Sequence, residues 1–127
     1  QHLCFDGRQH VHAAAADGGR LWPRCLTIGS AGKTFSITGW KIGWIVGPAP
    51  FIKHMAALAK YNQFSVATPL QRAVAEALDL ADAPYKGFDN YYAWLNAEYA
   101  RKRNHLCEGL TRAGLRPIVP EGTFFVM

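Results

Sequence analysis

The segment Ser30-Ala31-Gly32-Lys33-Thr34-Phe35-Ser36 sets a single lysine among small and hydroxyl residues, and Lys41 adds a second cation eight positions later. Small neighbours leave room for a ligand to approach the backbone. The second lysine offers a fixed positive charge for an anion on that ligand. Lys33 is therefore a candidate covalent attachment point, and three chemistries compete for the segment.

The first is a phosphate-binding loop, because Gly32-Lys33-Thr34 matches its last three residues. That loop requires a glycine where this chain has Thr27. It also requires a helix after the lysine to cradle phosphates, and Thr34 to Trp40, with Ile37, Thr38 and Gly39, is a poor helix start. Both requirements fail. The second is a plain surface lysine in a glycine turn. Against it stand the flanking hydroxyls, Lys41, and the tryptophans Trp40 and Trp44 in one compact segment. The third is a Schiff-base lysine for pyridoxal phosphate. Its amine must be nucleophilic near neutral pH, which desolvation or a neighbouring cation would bring about. Lys41 would supply that charge and bind the cofactor phosphate. Ser30, with Ser36 or Thr38, would add hydrogen bonds.

The elements that must position these residues are readable in outline. Half of the 127 residues are hydrophobic and 13% are aromatic, which suits a folded domain rather than disorder. Arg24 to Ile28 reads as a short strand entering the Gly29-Ser30 corner, and Trp40 to Val46 as a second strand. Pro50 suits the first turn of a helix carrying Phe51, Met55, Leu58 and Tyr61 on one face. Thr68-Pro69 opens a second helix with Leu70, Val74 and Leu78 inward. Asp82-Ala83-Pro84 breaks the chain. A long helix follows from Asp89 to Arg112, with Leu95, Tyr99, Leu106 and Leu110 on its seam and Gly114 as its stop. Arg116 to Val119 and Thr123 to Met127 read as strands around a Pro120-Glu121-Gly122 turn. Strands mixed with helices argue an α/β class. There are too few strands for a complete sheet, so the chain reads as an excerpt from a larger protein, with a boundary near Pro84.

Other chemistries fare less well. The net charge of +5 is scattered, and its one run, Arg101-Lys102-Arg103, reads as a solvated helix face rather than a nucleic-acid patch. Cys4, Cys25 and Cys107 form neither a disulfide framework nor a zinc pattern. His10 and His12 lack a third ligand, so no metal is expected. No apolar run approaches the ~20 residues that span a bilayer, and the first residues do not read as a secretory signal. Cytoplasm is the default compartment, with mitochondria left open.

Ser30 through Trp44 resembles the cofactor-lysine segment of the fold-type I, class I/II aminotransferases. The closest branch is that of the kynurenine–oxoglutarate transaminases, also called glutamine transaminase K or cysteine-S-conjugate β-lyase, with the bacterial methionine aminotransferases. The resemblance continues through Phe64-Ser65-Val66-Ala67-Thr68-Pro69 and Pro120-Glu121-Gly122-Thr123-Phe124-Phe125. It implies that Lys33 is the catalytic lysine holding pyridoxal 5'-phosphate, and that Ser30 and Lys41 hold its phosphate. It further implies that Phe64, near a homodimer interface, and Phe124, on a small-domain strand, meet the substrate. The implied fold is that of the PLP-dependent transferases. Residues 1–84 would form the C-terminal part of the large domain, and residues 85–127 the connecting helix and the beginning of a small α+β domain. The implied substrates are an L-amino acid of kynurenine, glutamine, methionine or aromatic type and a 2-oxo acid. A cysteine-conjugate β-lyase and a non-catalytic interaction module are the alternatives. The family's aspartate for the pyridine nitrogen, its tyrosine and asparagine near the ring hydroxyl, its glycine-rich phosphate turn and its carboxylate-binding arginine have no counterparts here. The 127-residue polypeptide alone is therefore expected to be inactive.

Overall fold

Proline and glycine set where the first strand begins and ends. In the computed structural model, which describes residues 3–127, Pro23 lies in a 3-10 turn over Trp22–Arg24. The amides of Arg24 and Cys25 donate back to Leu21 O and Trp22 O, at 2.9 and 3.1 Å. Committed to that turn, they cannot join a ladder, so strand β1 covers Thr27–Ser30 rather than starting at Arg24. Strand β2, Gly43–Val46, is likewise shorter than its β-branched and aromatic content suggests. Trp40 closes a 3-10 turn onto Ile37 O at 2.9 Å, and Lys41 takes a left-handed backbone at φ 57°. The two strands pair antiparallel, with Thr27 opposite Val46 and Ser30 opposite Gly43.

The described residues fall into two compact units. The first, Val11–Glu76, holds β1, the one-turn helix α1 (Ala31–Thr34), β2, helix α2 (Ala49–Asn62) and most of helix α3 (Thr68–Ala81). Pro50 sits in the first turn of α2 as its fixed φ favours. The stripe carrying Phe51, Leu58 and Tyr61 is open, with Leu58 70% and Tyr61 86% exposed. On α3, Val74 is buried and Leu70 and Leu78 are half-buried, as their spacing predicts.

The second unit takes residues 3–10 and Ala77–Met127. Its axis is α4, Tyr91–Arg112. Asn90 Oδ1 accepts from Ala93 N at 2.8 Å and caps the first turn. At the other end Gly114, at φ 84°, closes the last turn: Leu115 N donates to Leu110 O and Gly114 N to Thr111 O, both at 3.0 Å. Leu3, Phe5 and Leu95 form the core of this unit, with Tyr91, Trp94, Tyr99 and Ala100 packed against them. Truncating Phe5 to alanine would cost about 3–5 kcal/mol by the usual core scale. Tyr85 stacks edge-on against Tyr91 and Trp94 with centroids 5.4 and 5.1 Å away.

The stretches Arg116–Val119 and Thr123–Met127 do not form strands. Pro117 and Pro120 supply no amide to a ladder, and Thr123 has a left-handed backbone at φ 67°. Instead Cys4 and Gly122 make an isolated antiparallel bridge. Phe5 N donates to Glu121 O at 2.8 Å and Thr123 N to Leu3 O at 2.9 Å. No helix among the described residues is long and apolar enough to cross a membrane.

Candidate active site

The lysine segment is a strand-to-helix corner. Ser30 ends β1 and caps α1, its Oγ accepting from Gly32 N at 3.2 Å. Thr34 Oγ1 donates back to Ser30 O at 3.3 Å, and Thr38 Oγ1 reaches Gly32 O at 3.2 Å. Ala31 N donates to Ile42 O at 3.1 Å, which fastens the corner to the approach of β2. A helix does follow Ser30, but it is one turn long and ends at Thr34. Ile37, Thr38 and Gly39 lie beyond it, in agreement with the poor helix-forming character of that stretch.

Ala31, Gly32 and Thr34 are buried while Lys33 among them is exposed. The corner is thus fixed by its small and hydroxyl residues, and the amine is left outside it. Gly32 sits in a tight space: a Cβ there would lie 3.2 Å from Thr38 Cα and 3.3 Å from Ser30 Oγ, so those neighbours would have to give by a few tenths of an ångström. Ser30 and Lys41 each adjoin the Ala31–Ile42 hydrogen bond in sequence, so backbone pairing brings both to the same end of the two strands as Lys33. Lys41 is exposed. Among the described residues neither lysine enters an ion pair.

Phe64 stands apart from this corner, just past α2. It is 84% exposed and holds a left-handed backbone at φ 62°, an uncommon conformation for a bulky residue. It edges a recess of about 400 Å³ with Ala59, Ser65 and Thr68, none of them from the lysine segment. Phe124 belongs to the second unit, where its ring centroid lies 6.4 Å from that of Tyr99 and 4.6 Å from that of Phe125. Among the described residues no three His, Cys, Asp or Glu side chains gather into a group that could hold a metal ion.

One reading of the sequence needs correction. Within Arg101-Lys102-Arg103 the first two are exposed, but Arg103 is buried at 8% exposure. Four-residue steps along a helix keep to one face, so Leu95, Tyr99, Arg103 and Cys107 form the inward row of α4. Its charge is met by Asp6, at 2.7 Å from Nη1 to Oδ2 and 3.1 Å from Nη2 to Oδ1. The hydrogen bond from Arg103 is the main cause that holds the Asp6 carboxyl below its ordinary range. The periodicity held the signal, and the run of three cations masked it.

Comparison with known proteins adds the family. The chain is similar in structure to an aromatic aminotransferase from Pyrococcus horikoshii OT3, with a TM-score of 0.78, 28% identity, and coverage of 98% of this chain and 31% of that one. It is also similar to a Thermus thermophilus aspartate aminotransferase mutant complexed with tryptophan, with a TM-score of 0.73, 34% identity, and coverage of 98% and 30%. In sequence it is 46% identical to a kynurenine–oxoglutarate transaminase of Dictyostelium discoideum, over 98% of this chain and 27% of that protein. It is 39% identical to kynurenine–oxoglutarate transaminase 1 of Homo sapiens, over 100% of this chain and 30% of that protein. The chain therefore spans less than a third of the length of these curated relatives. The description "Aminotransferase class I and II" matches residues 1–127, and the chain belongs to that family.

Proposed function

We propose that the protein carrying this sequence is a pyridoxal-phosphate-dependent aminotransferase. It moves an amino group from an L-amino acid of kynurenine, glutamine, methionine or aromatic type to a 2-oxo acid. The observation that carries the reading is the corner itself, where an exposed lysine projects from an otherwise buried turn capped by Ser30. Class I and II aminotransferases use pyridoxal phosphate, and the residues present fit it. Gly32 keeps the corner open where a Cβ would crowd it. Ser30 Oγ accepts from Gly32 N and still has its own proton to donate to a phosphate oxygen. Lys41 offers the cation for the dianion.

When bound, pyridoxal phosphate supplies the electron sink for bonds at the substrate α-carbon. Lys33 Nζ is the attachment point. As a free amine it takes up the α-carbon proton, and as an ammonium it returns one. Lys41 and Ser30 fix the cofactor's phosphate end, so that Lys33 meets its target in one orientation. Phe64 and Phe124 meet the donor side chain, Phe64 from a neighbouring subunit of a homodimer. The exposure and left-handed backbone of Phe64 support that role, since strained residues persist where the surroundings or a function hold them. By the same reading residues 1–84 form the C-terminal part of the large domain, and residues 85–127 the connecting helix and the beginning of the small domain. The cytoplasm is its place of work.

Lys33→Ala tests the reading in the full-length protein. Transamination should fall at least about a thousandfold, the visible absorbance of the lysine-bound cofactor should vanish, and borohydride should no longer trap an adduct at position 33. Lys41→Ala should keep that absorbance while weakening cofactor binding about 10- to 100-fold, the range expected for one charge-assisted contact. Turnover and absorbance that survive in Lys33→Ala would overturn the assignment.

A further inference from the structure

We propose that Arg103, paired with Asp6, is a positioning residue for Phe124, and through it sets the fit of the donor side chain. The proposal rests on the reading of Phe124 as a substrate-facing residue. Its own support lies in the second unit. The Arg103 guanidinium forks onto Asp6 and spends Nη1 a second time on Pro120 O, at 2.9 Å. Its Nε donates to Asn104 Oδ1 at 2.9 Å, and its Cζ lies 4.7 Å from the centroid of the Phe5 ring. One buried side chain of α4 thus holds both the 3–8 segment and the first residue of the 120–125 segment.

Those two segments also hold each other. Phe5 N, Thr123 N and the Arg8–Glu121 ion pair, at 2.6 Å, join them across the Cys4–Gly122 bridge. Asn96 Nδ2 donates to Cys4 O at 2.8 Å, a second tie to α4. The 120–125 segment has no strand ladder to fix its place, and Pro120 has no amide to contribute. Its carbonyl is taken by the guanidinium instead. Four residues on, Phe124 and Arg103 wall the same recess of about 120 Å³ with Tyr99. The place of Phe124 follows from these ties together, and Arg103 anchors both segments, through Asp6 on one and Pro120 O on the other. A lysine would offer a point charge without the fork that spans carboxylate and carbonyl together.

The test compares Phe124→Ala, Arg103→Lys and Asp6→Asn in the full-length enzyme, each first checked for helix content and for the lysine-bound cofactor absorbance. All three should raise KM for an aromatic donor by about tenfold while kcat stays within about threefold, and KM for alanine should change little. Combining Phe124→Ala with Asp6→Asn should add nothing further, because both act through one contact. Amide exchange at Phe5 and Thr123 should quicken in Asp6→Asn and not in Phe124→Ala. Should Arg103→Lys fail to fold, Asp6→Asn carries the comparison. If Phe124→Ala raises KM and the folded Asp6→Asn and Arg103→Lys variants do not, the positioning role is wrong and Phe124 keeps its own. An unchanged KM in Phe124→Ala removes the substrate-facing reading, and the positioning role with it.

Discussion

Gly43 and Gly29 show how narrowly the lysine corner is built at the level of single atoms. A Cβ on Gly43 would lie 2.8 Å from Gly29 O, which is backbone of the partner strand. A Cβ on Gly29 would lie 2.3 Å from the indole of Trp44, a side chain that can swing aside because it is 37% exposed. Gly43→Ala should therefore cost more than Gly29→Ala, with both in the range of about 1–3 kcal/mol typical of overpacking. Gly39→Ala, with nothing within 4 Å, should stay within about 0.5 kcal/mol. Denaturant midpoints of the three variants check the order. The spacing of Ser30, Lys33 and Lys41 was legible in the sequence because each is a distinctive type in a short run. Gly43 was not, since a glycine within a strand pattern does not say which backbone approaches it.

At the scale of elements, α4 was readable at both ends and misread in the middle. Asn90 and Gly114 are strong terminal signals, and the structure uses both. The buried face was expected to run through Leu106, yet Leu106 is half exposed and Arg103 is buried. Pattern reading favours apolar residues for inward positions, and the carboxylate that makes an inward arginine tolerable comes from residue 6. The helix should also be acid-sensitive in a defined window. Glu98 is held down to about 2, first by its hydrogen bond from Arg101 and then by Lys102, and Asp6 is lowered by Arg103. Both folded values lie below the unfolded ones near 4, so their stabilisation is complete above about pH 5; that of Glu98 is lost as pH falls from about 4 to about 2, and that of Asp6 as pH falls below its ordinary range. Helix content followed by circular dichroism from pH 7 to pH 2 should fall in that window. Asp6→Asn and Glu98→Gln should each flatten the fall, starting from a lower stability at neutral pH.

For the molecule as a whole, the share of each relative that the chain covers, 27–30%, decides what can be asked of it. The lysine corner is present, but the groups that tune the cofactor ring and grip the substrate carboxylate were expected from elsewhere in an aminotransferase. The purified 127-residue polypeptide should show no transamination above the cofactor's own solution rate, by a coupled assay for the 2-oxo acid product. Measurable turnover would show that the corner suffices. The family and the mixture of helices with a small sheet were visible in the residues. That residues 3–10 belong with Ala77–Met127 was not visible, because no local pattern announces a partner so far along the chain. That distance also orders events in time. Leu3 to Arg8 leave the ribosome before the rest of this stretch, and Pro120 to Thr123 follow on the order of 10 s later at ordinary elongation rates. In that interval Leu3 and Phe5 wait for Leu95 of α4, the core residue they pack with, whereas the residues of β1, β2 and the lysine corner have already emerged. Within this stretch, chaperone contact should therefore centre on residues 3–10, and the lysine corner should resist a protease before they do.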